Sequence, residues 1–94
     1  MFNLLEKLSN FLTVSKGKFL LERTHICLYT SILIICEQQK GGNTIEVSRK
    51  KLMHLSQIKS NATYHKCITE LVNNRYITYL PSYHPIHGSQ IVIL

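Results

Sequence analysis

Hydrophobic and polar positions alternate with two different periods along this chain, and the changes of period divide it into elements. From Met1 to Thr13 the apolar positions are Phe2, Leu5, Leu8, Phe11 and Leu12. Spacings of three and four residues predict a short amphipathic helix. Ser15-Lys16-Gly17-Lys18 interrupts it. A second helix is predicted from about Leu21 to Gln39. Ile26, Tyr29, Leu33 and Cys36 form one face, and Ile32 and Ile34 widen it. An apolar stripe this broad marks the central core helix. Lys40-Gly41-Gly42-Asn43 ends it, with glycine suited to the left-handed position at a helix end.

Thr44-Ile45-Glu46-Val47 then alternates with a period of two and reads as a short strand. Ser48 is a good N-cap for a third helix, about Arg49 to Leu55, with Leu52, Met53 and Leu55 as apolar positions. Ser56-Gln57-Ile58-Lys59 is a turn anchored by Ile58. Ser60 caps a fourth helix, about Asn61 to Asn74, whose inner stripe is Tyr64, Cys67 or Ile68, Leu71 and Val72. Tyr76 to Leu80 is a strand stopped by Pro81, Ser82 to Ser89 a hairpin loop, and Gln90 to Leu94 a closing strand. Two short helices joined by a tight turn, followed by a β-hairpin, predict a helix-turn-helix with a wing. The expected fold class is α+β, mainly α: a winged helix with a three-helix core, a small antiparallel sheet and an extra N-terminal helix. Residues 1–18 would form that helix and its linker, and residues 19–94 the winged-helix domain.

Composition narrows the function. The chain has 94 residues, 45% apolar and 17% charged, which is a folded rather than a disordered composition. It is too short for a doubly wound nucleotide enzyme or a barrel. The net charge is +6 and the pI about 9.4, which points to an anionic partner, nucleic acid above all. The excess is unevenly placed. Beyond Val47 stand Arg49, Lys50, Lys51, Lys59, Lys66 and Arg75, against Glu70 alone. Residues 76–94 contain no Lys or Arg, so strong contact between a wing and the minor groove is not expected.

Candidate chemistry is sparse. Cys27, Cys36 and Cys67 include no close pair and are expected to be small core residues in a reducing compartment. His25 and Cys27, like His65 and Cys67, stand two apart on predicted helices and so point about 200° apart, which forbids chelation. His84 and His87 fall in the hairpin loop without a thiol or carboxylate nearby in sequence. No metal and no cofactor are expected. Ser48-Arg49-Lys50-Lys51 matches S-x-x-K without its companion motifs. With no Gly-rich phosphate loop and no paired carboxylates, the chain is not expected to be an enzyme. The longest apolar run, Ile26 to Cys36, is about half of what a membrane span needs, and no signal peptide is recognised at the start. The protein is expected to be cytoplasmic, without membrane contact.

The segment Val47-Ser48-Arg49-Lys50-Lys51-Leu52-Met53-His54-Leu55, then Ser60-Asn61-Ala62-Thr63-Tyr64-His65-Lys66-Cys67-Ile68-Thr69-Glu70-Leu71, then Tyr76-Ile77, resembles winged helix-turn-helix DNA-binding domains. Bacterial transcriptional regulators and plasmid replication initiators share that layout. The resemblance covers residues 44–80 and, with the core helix and hairpin, about 22–94. Tyr79-Leu80-Pro81-Ser82-Tyr83-His84-Pro85 with Gly88-Ser89 also looks like small winged-helix proteins of bacterial mobile elements. One departure stands at the end of the fourth helix. Arg75 occupies a position often held by glycine, and Asn74 is the residue expected to end the helix.

The resemblance implies sequence-specific binding of double-stranded DNA, by a transcriptional regulator or a mobile-element accessory factor. The start of the fourth helix would enter the major groove. Asn61, Thr63, His65, Lys66 and Thr69 are the expected base contacts, Asn suited to adenine, Lys to guanine and Thr to a thymine methyl. Ser48, Arg49, Lys50, Lys51, Lys59 and Ser60 are expected at phosphates, and His84, His87 and Ser89 on the wing. Phe2, Leu5, Leu8, Phe11 and Leu12 are expected to form a homodimer interface. The alternatives are a winged-helix protein–protein adaptor and the DNA-binding part of a plasmid replication initiator.

Overall fold

A computed structural model describes residues 4–14, 22–40, 42–80 and 88–94. Its elements are α1 (Leu4–Val14), α2 (Arg23–Gln39), β1 (Thr44–Val47), α3 (Arg49–Ser56), α4 (Asn61–Asn73), β2 (Ile77–Leu80) and β3 (Ser89–Ile93). The class is α+β, mainly α, with a small antiparallel sheet. Strand order is β1-β3-β2, so the last strand enters between the other two. Ile45 stands opposite Ile91 and Val47 opposite Ser89, while Ile77 stands opposite Ile93. Alternation sets these faces: Ile45, Val47, Ile91 and Ile93 all turn inward. Asn43 extends the ladder by exchanging two hydrogen bonds with Ile93, its side-chain amide donating to the Ile93 carbonyl. On the edge of β1 the Gln39 side chain takes the place of a further strand. Its Nε2 donates to the Glu46 carbonyl at 2.7 Å and its Oε1 accepts the Glu46 amide at 3.1 Å, which satisfies two edge groups.

Helix α2 lies at the centre and packs against α1, α3, α4 and β1. Its buried residues are His25, Leu28, Tyr29, Ser31, Ile32, Leu33, Ile35 and Cys36. The buried face therefore differs from the expected one. Ile26 is only half-buried, Ile34 is 42% exposed, and Cys27, expected in the core, is exposed. A helix apolar on nearly every side has no periodicity with which to select its inner face. Cys36 and Cys67 are buried as expected, and burial pushes both thiols up.

Helix α1 is joined to this core by aromatic packing. Phe11, 1% exposed, stacks on Tyr29 with ring centroids 4.2 Å apart and meets the edge of Tyr76 at 4.7 Å. Leu8 also packs against the core, and Lys7 Nζ donates to the Leu94 carbonyl at 2.8 Å. Of the five residues expected at a dimer interface, Phe11 is thus enclosed within its own chain. Leu5 and Leu12 stay exposed, and Phe2 lies outside the described residues.

Three helices end on left-handed residues, and none of the three is glycine. Lys40 closes α2 with φ 55°, so the glycine expected there is not the residue that does so. Gln57 closes α3 with φ 60°, and Arg75 follows α4 with φ 64°. Asn74, expected to be left-handed, has φ −93°; the special conformation falls on Arg75 itself. After α3, Gln57 N–H reaches the His54 carbonyl and Ile58 N–H the Met53 carbonyl. After α4, Arg75 N–H reaches Val72 and Tyr76 N–H reaches Leu71. Both are Schellman patterns, which satisfy the last carbonyls of each helix.

Gly88, just before β3, packs against the backbone where β1 passes into α3. A Cβ at this position would lie 2.5 Å from the Val47 carbonyl carbon and 2.8 Å from the Ser48 nitrogen. Both are backbone atoms that cannot step aside. Gly88→Ala is expected to destabilise the protein by about 1–3 kcal/mol, read as a lower urea midpoint. Stability should also fall in alkali. Burial, aided by the nearby Tyr76 phenol, raises Tyr29 from 10.0 to about 12. The unfolded chain then loses this proton first. The Tyr29 contribution is intact below pH 10 and is lost as pH rises towards about 12. Urea midpoints measured at about pH 9 and about pH 11 should show the decline, and Tyr29→Phe should reduce it.

Candidate nucleic-acid interface

The region of interest is built from α3, the turn Gln57–Ser60 and the first half of α4. Each helix begins at a serine because a hydroxyl can occupy the place of a missing turn. Ser48 Oγ accepts the Lys51 amide at 3.1 Å, and Ser60 Oγ accepts the Thr63 amide at 3.4 Å. Neither first turn contains an acidic residue, so both positive helix ends remain uncompensated.

Around these ends the side chains Arg49, Lys50, Lys51, Lys59, Asn61, His65, Lys66 and Thr69 are exposed, and Thr63 is half-buried. Ser48 and Ser60 are exposed as well, with their hydroxyls engaged in capping. Between α3 and the turn lies an open depression of about 590 Å³, lined by Lys50, Met53, His54, Gln57, Ile58 and Lys59. Cationic and imidazole groups surround a partly apolar floor made by Met53 and the buried Ile58.

Tyr64 fixes the inner side of α4. It is 1% exposed and lies beside Tyr79 of β2. The Tyr79 hydroxyl in turn meets Ser89 Oγ at 3.1 Å. Burial raises the Tyr64 phenol well above its ordinary range, the neighbouring Tyr79 adds to this, and the Arg49 guanidinium opposes it. Ser89 was expected as a wing contact. It is instead 8% exposed and faces inward, because its register opposite Val47 puts it on the core side of the sheet. His84 and His87, the other wing positions, lie outside the described residues.

A second set of contacts ties α4 to the start of α2. The Glu22 amide donates to His25 Nδ1 at 3.0 Å. With Nδ1 accepting, Nε2 carries the proton and donates to Glu70 Oε1 at 3.0 Å. His25 is 1% exposed and Glu70 35%. One helical turn before Glu70, Lys66 Nζ lies 3.8 Å from Glu22 Oε1, with both side chains largely exposed. Neither Glu22 nor Glu70 stood out as functional in the sequence, and His25 drew attention only as a metal candidate. The available signal was the three-residue step from Glu22 to His25, the spacing of reciprocal capping, together with Glu70 as the lone acid after Val47.

The arrangement leaves the cations of α3 and the turn facing outward while Glu70 is turned towards His25. Among the described residues there is no group of His, Cys, Asp and Glu able to hold a metal ion, and no helix is long and apolar enough to cross a membrane. No protein-family model, curated protein or solved structure matches the chain.

The two acidic contacts should behave differently on mutation. Glu70→Ala leaves the buried Nε2–H of His25 without its acceptor and is expected to cost about 1–3 kcal/mol. Lys66→Ala removes only an exposed pair and should change stability by less than about 0.5 kcal/mol. Urea unfolding of the two variants beside wild type checks the contrast.

Proposed function

We propose that this chain is a sequence-specific double-stranded DNA-binding protein of the winged helix-turn-helix kind. It would act as a transcriptional regulator or as an accessory factor of a mobile element. The observation that carries the reading is the joint placement of two serine-capped, acid-free helix starts with Arg49, Lys50, Lys51 and Lys59 exposed beside them. The order of elements supports it: α3, turn, α4 and then two strands that lie in one sheet with β1.

In this reading the first half of α4 enters the major groove. Asn61, His65 and Thr69 follow one another at four-residue steps and form a single exposed row. Asn61 is suited to an adenine edge, and Thr69 to a hydrogen bond or a thymine methyl. Lys66, held near Glu22, needs only to exchange one exposed partner for a guanine. Thr63 is half-buried and takes a smaller part. Arg49, Lys50, Lys51 and Lys59 neutralise phosphates, and the depression between Lys50 and Lys59 is a seat for one of them. Three successive cations at the start of α3 oppose its dipole; a phosphate close to that end removes the conflict.

Selection of bound duplexes from random DNA, followed by anisotropy titration across a range of salt, tests the reading. If about four phosphates are neutralised, log affinity should fall against log salt with a slope near −3.6. Lys50→Ala with Lys51→Ala should weaken every duplex alike and reduce the slope by roughly 1.8. Asn61→Ala should instead cost about 1–3 kcal/mol at one position of the selected site. Affinity for no duplex, or affinity indifferent to salt, rules the function out.

A further inference from the structure

The outward side of α2 is a surface with its own pattern, separate from the basic face. Arg23, Cys27, Ile34 and Glu37 are exposed along it, and Ile26 and Thr30 are half-buried. Ile26, Cys27, Thr30 and Ile34, with Leu55 of α3, 41% exposed, line a shallow groove of about 380 Å³, and Arg23 and Glu37 stand before and after them on the helix. Cys27, Ile34 and Leu55 are exposed on one side of the groove's helices, and grouped apolar side chains ask for a partner more than a lone one does.

The row is self-complementary. Arg23 and Glu37 each lie seven residues from Thr30, one before it and one after. Seven residues are nearly two helical turns, so both return to within about 20° of the Thr30 direction, about 10.5 Å along the axis on either side. Ile26 and Ile34 are likewise four residues before and after Thr30. A two-fold axis beside Thr30 therefore sets Arg23 at the height of Glu37 of a second copy, and Ile26 at the height of its Ile34. Every contact is made twice. Two Thr30 residues meet at the middle, where a small side chain permits close approach. A parallel pairing would instead set Arg23 against Arg23 and Glu37 against Glu37. Neither residue takes part in an ion pair among the described residues.

We propose that this face of α2 is an isologous interface at which a second copy of this chain docks antiparallel, with Leu55 closing its side. The proposal is independent of DNA binding. It also differs from a dimer through α1, whose Phe11 is enclosed within its own chain.

Sedimentation of the full chain over a concentration series, without DNA, tests it. Wild type is expected to show a monomer–dimer equilibrium. Glu37→Arg places like charges together twice per dimer and should raise the dissociation constant at least roughly tenfold. Arg23→Glu should do the same. The double variant R23E/E37R restores opposite charges and should return the dissociation constant close to that of wild type. All three changes are at exposed positions, and the rescue separates pairing from folding. A wild type that is monomeric at every concentration overturns the proposal, as does a double variant no tighter than the single ones. A dimer unaffected by these changes but abolished by Leu5→Glu with Leu12→Glu places the interface on α1 and overturns it too.

Discussion

Desolvation of α2 is the constraint on which the other elements depend. This helix buries residues against four neighbours, and two of those residues are polar, His25 and Ser31. Each is satisfied locally or by one long-range partner. Ser31 Oγ donates to the Cys27 carbonyl at 2.7 Å, while His25 bridges Glu22 and Glu70. Among the described residues no buried side-chain polar atom lacks a hydrogen bond. A single buried donor left unpaired would cost on the order of 1–3 kcal/mol, a large fraction of what a domain of this size retains. The position of α4 is therefore linked to the start of α2 by the need to pair one imidazole nitrogen.

Tyr64 and His25 hold α4 at different points along its length. Tyr64, near its start, lies against Tyr79 of β2, whose hydroxyl meets Ser89 Oγ. Glu70, nearer its end, reaches α2. A helix tied at two levels, one aromatic and one charge-assisted, resists both tilting and rotation. Under the proposed function, that hold would keep the exposed row of Asn61, His65 and Thr69 in one register. The same logic explains the inward Ser89: a hydroxyl in the sheet serves the support of the face and not the face itself.

Much of this architecture was legible in the sequence because local rules governed it. Ser48 and Ser60 announced two helix starts, and the alternation in Thr44–Val47 announced a strand with Ile45 and Val47 inside. The stripe of Tyr64, Cys67, Ile68 and Leu71 marked the inner side of α4. The face of α2 was not legible, because apolar residues stand on nearly all of its sides and only the neighbours decide which are enclosed. Cys27 and Ile34 were misplaced for that reason. The helix ends were missed because the local rule looks for glycine or asparagine, whereas the chain takes the left-handed turn at Lys40, Gln57 and Arg75. Among candidate site residues, the basic cluster followed from charge alone. The pairing of His25 with Glu70 joins positions 45 residues apart, and no spacing rule spans such a distance.

Those three left-handed residues bear on the evolution of the chain as well as on its shape. A side chain with a Cβ in that conformation carries a cost of about 1–2 kcal/mol that glycine does not, partly offset by the entropy glycine loses on folding. The fold thus leaves an unused reserve of stability at the ends of α2, α3 and α4. Each position bears instead an exposed polar or charged residue. A lineage under selection for thermal tolerance has three single-residue routes to it, none of which disturbs the core. Glycine at any one of Lys40, Gln57 and Arg75 would relieve part of that backbone cost without touching the core.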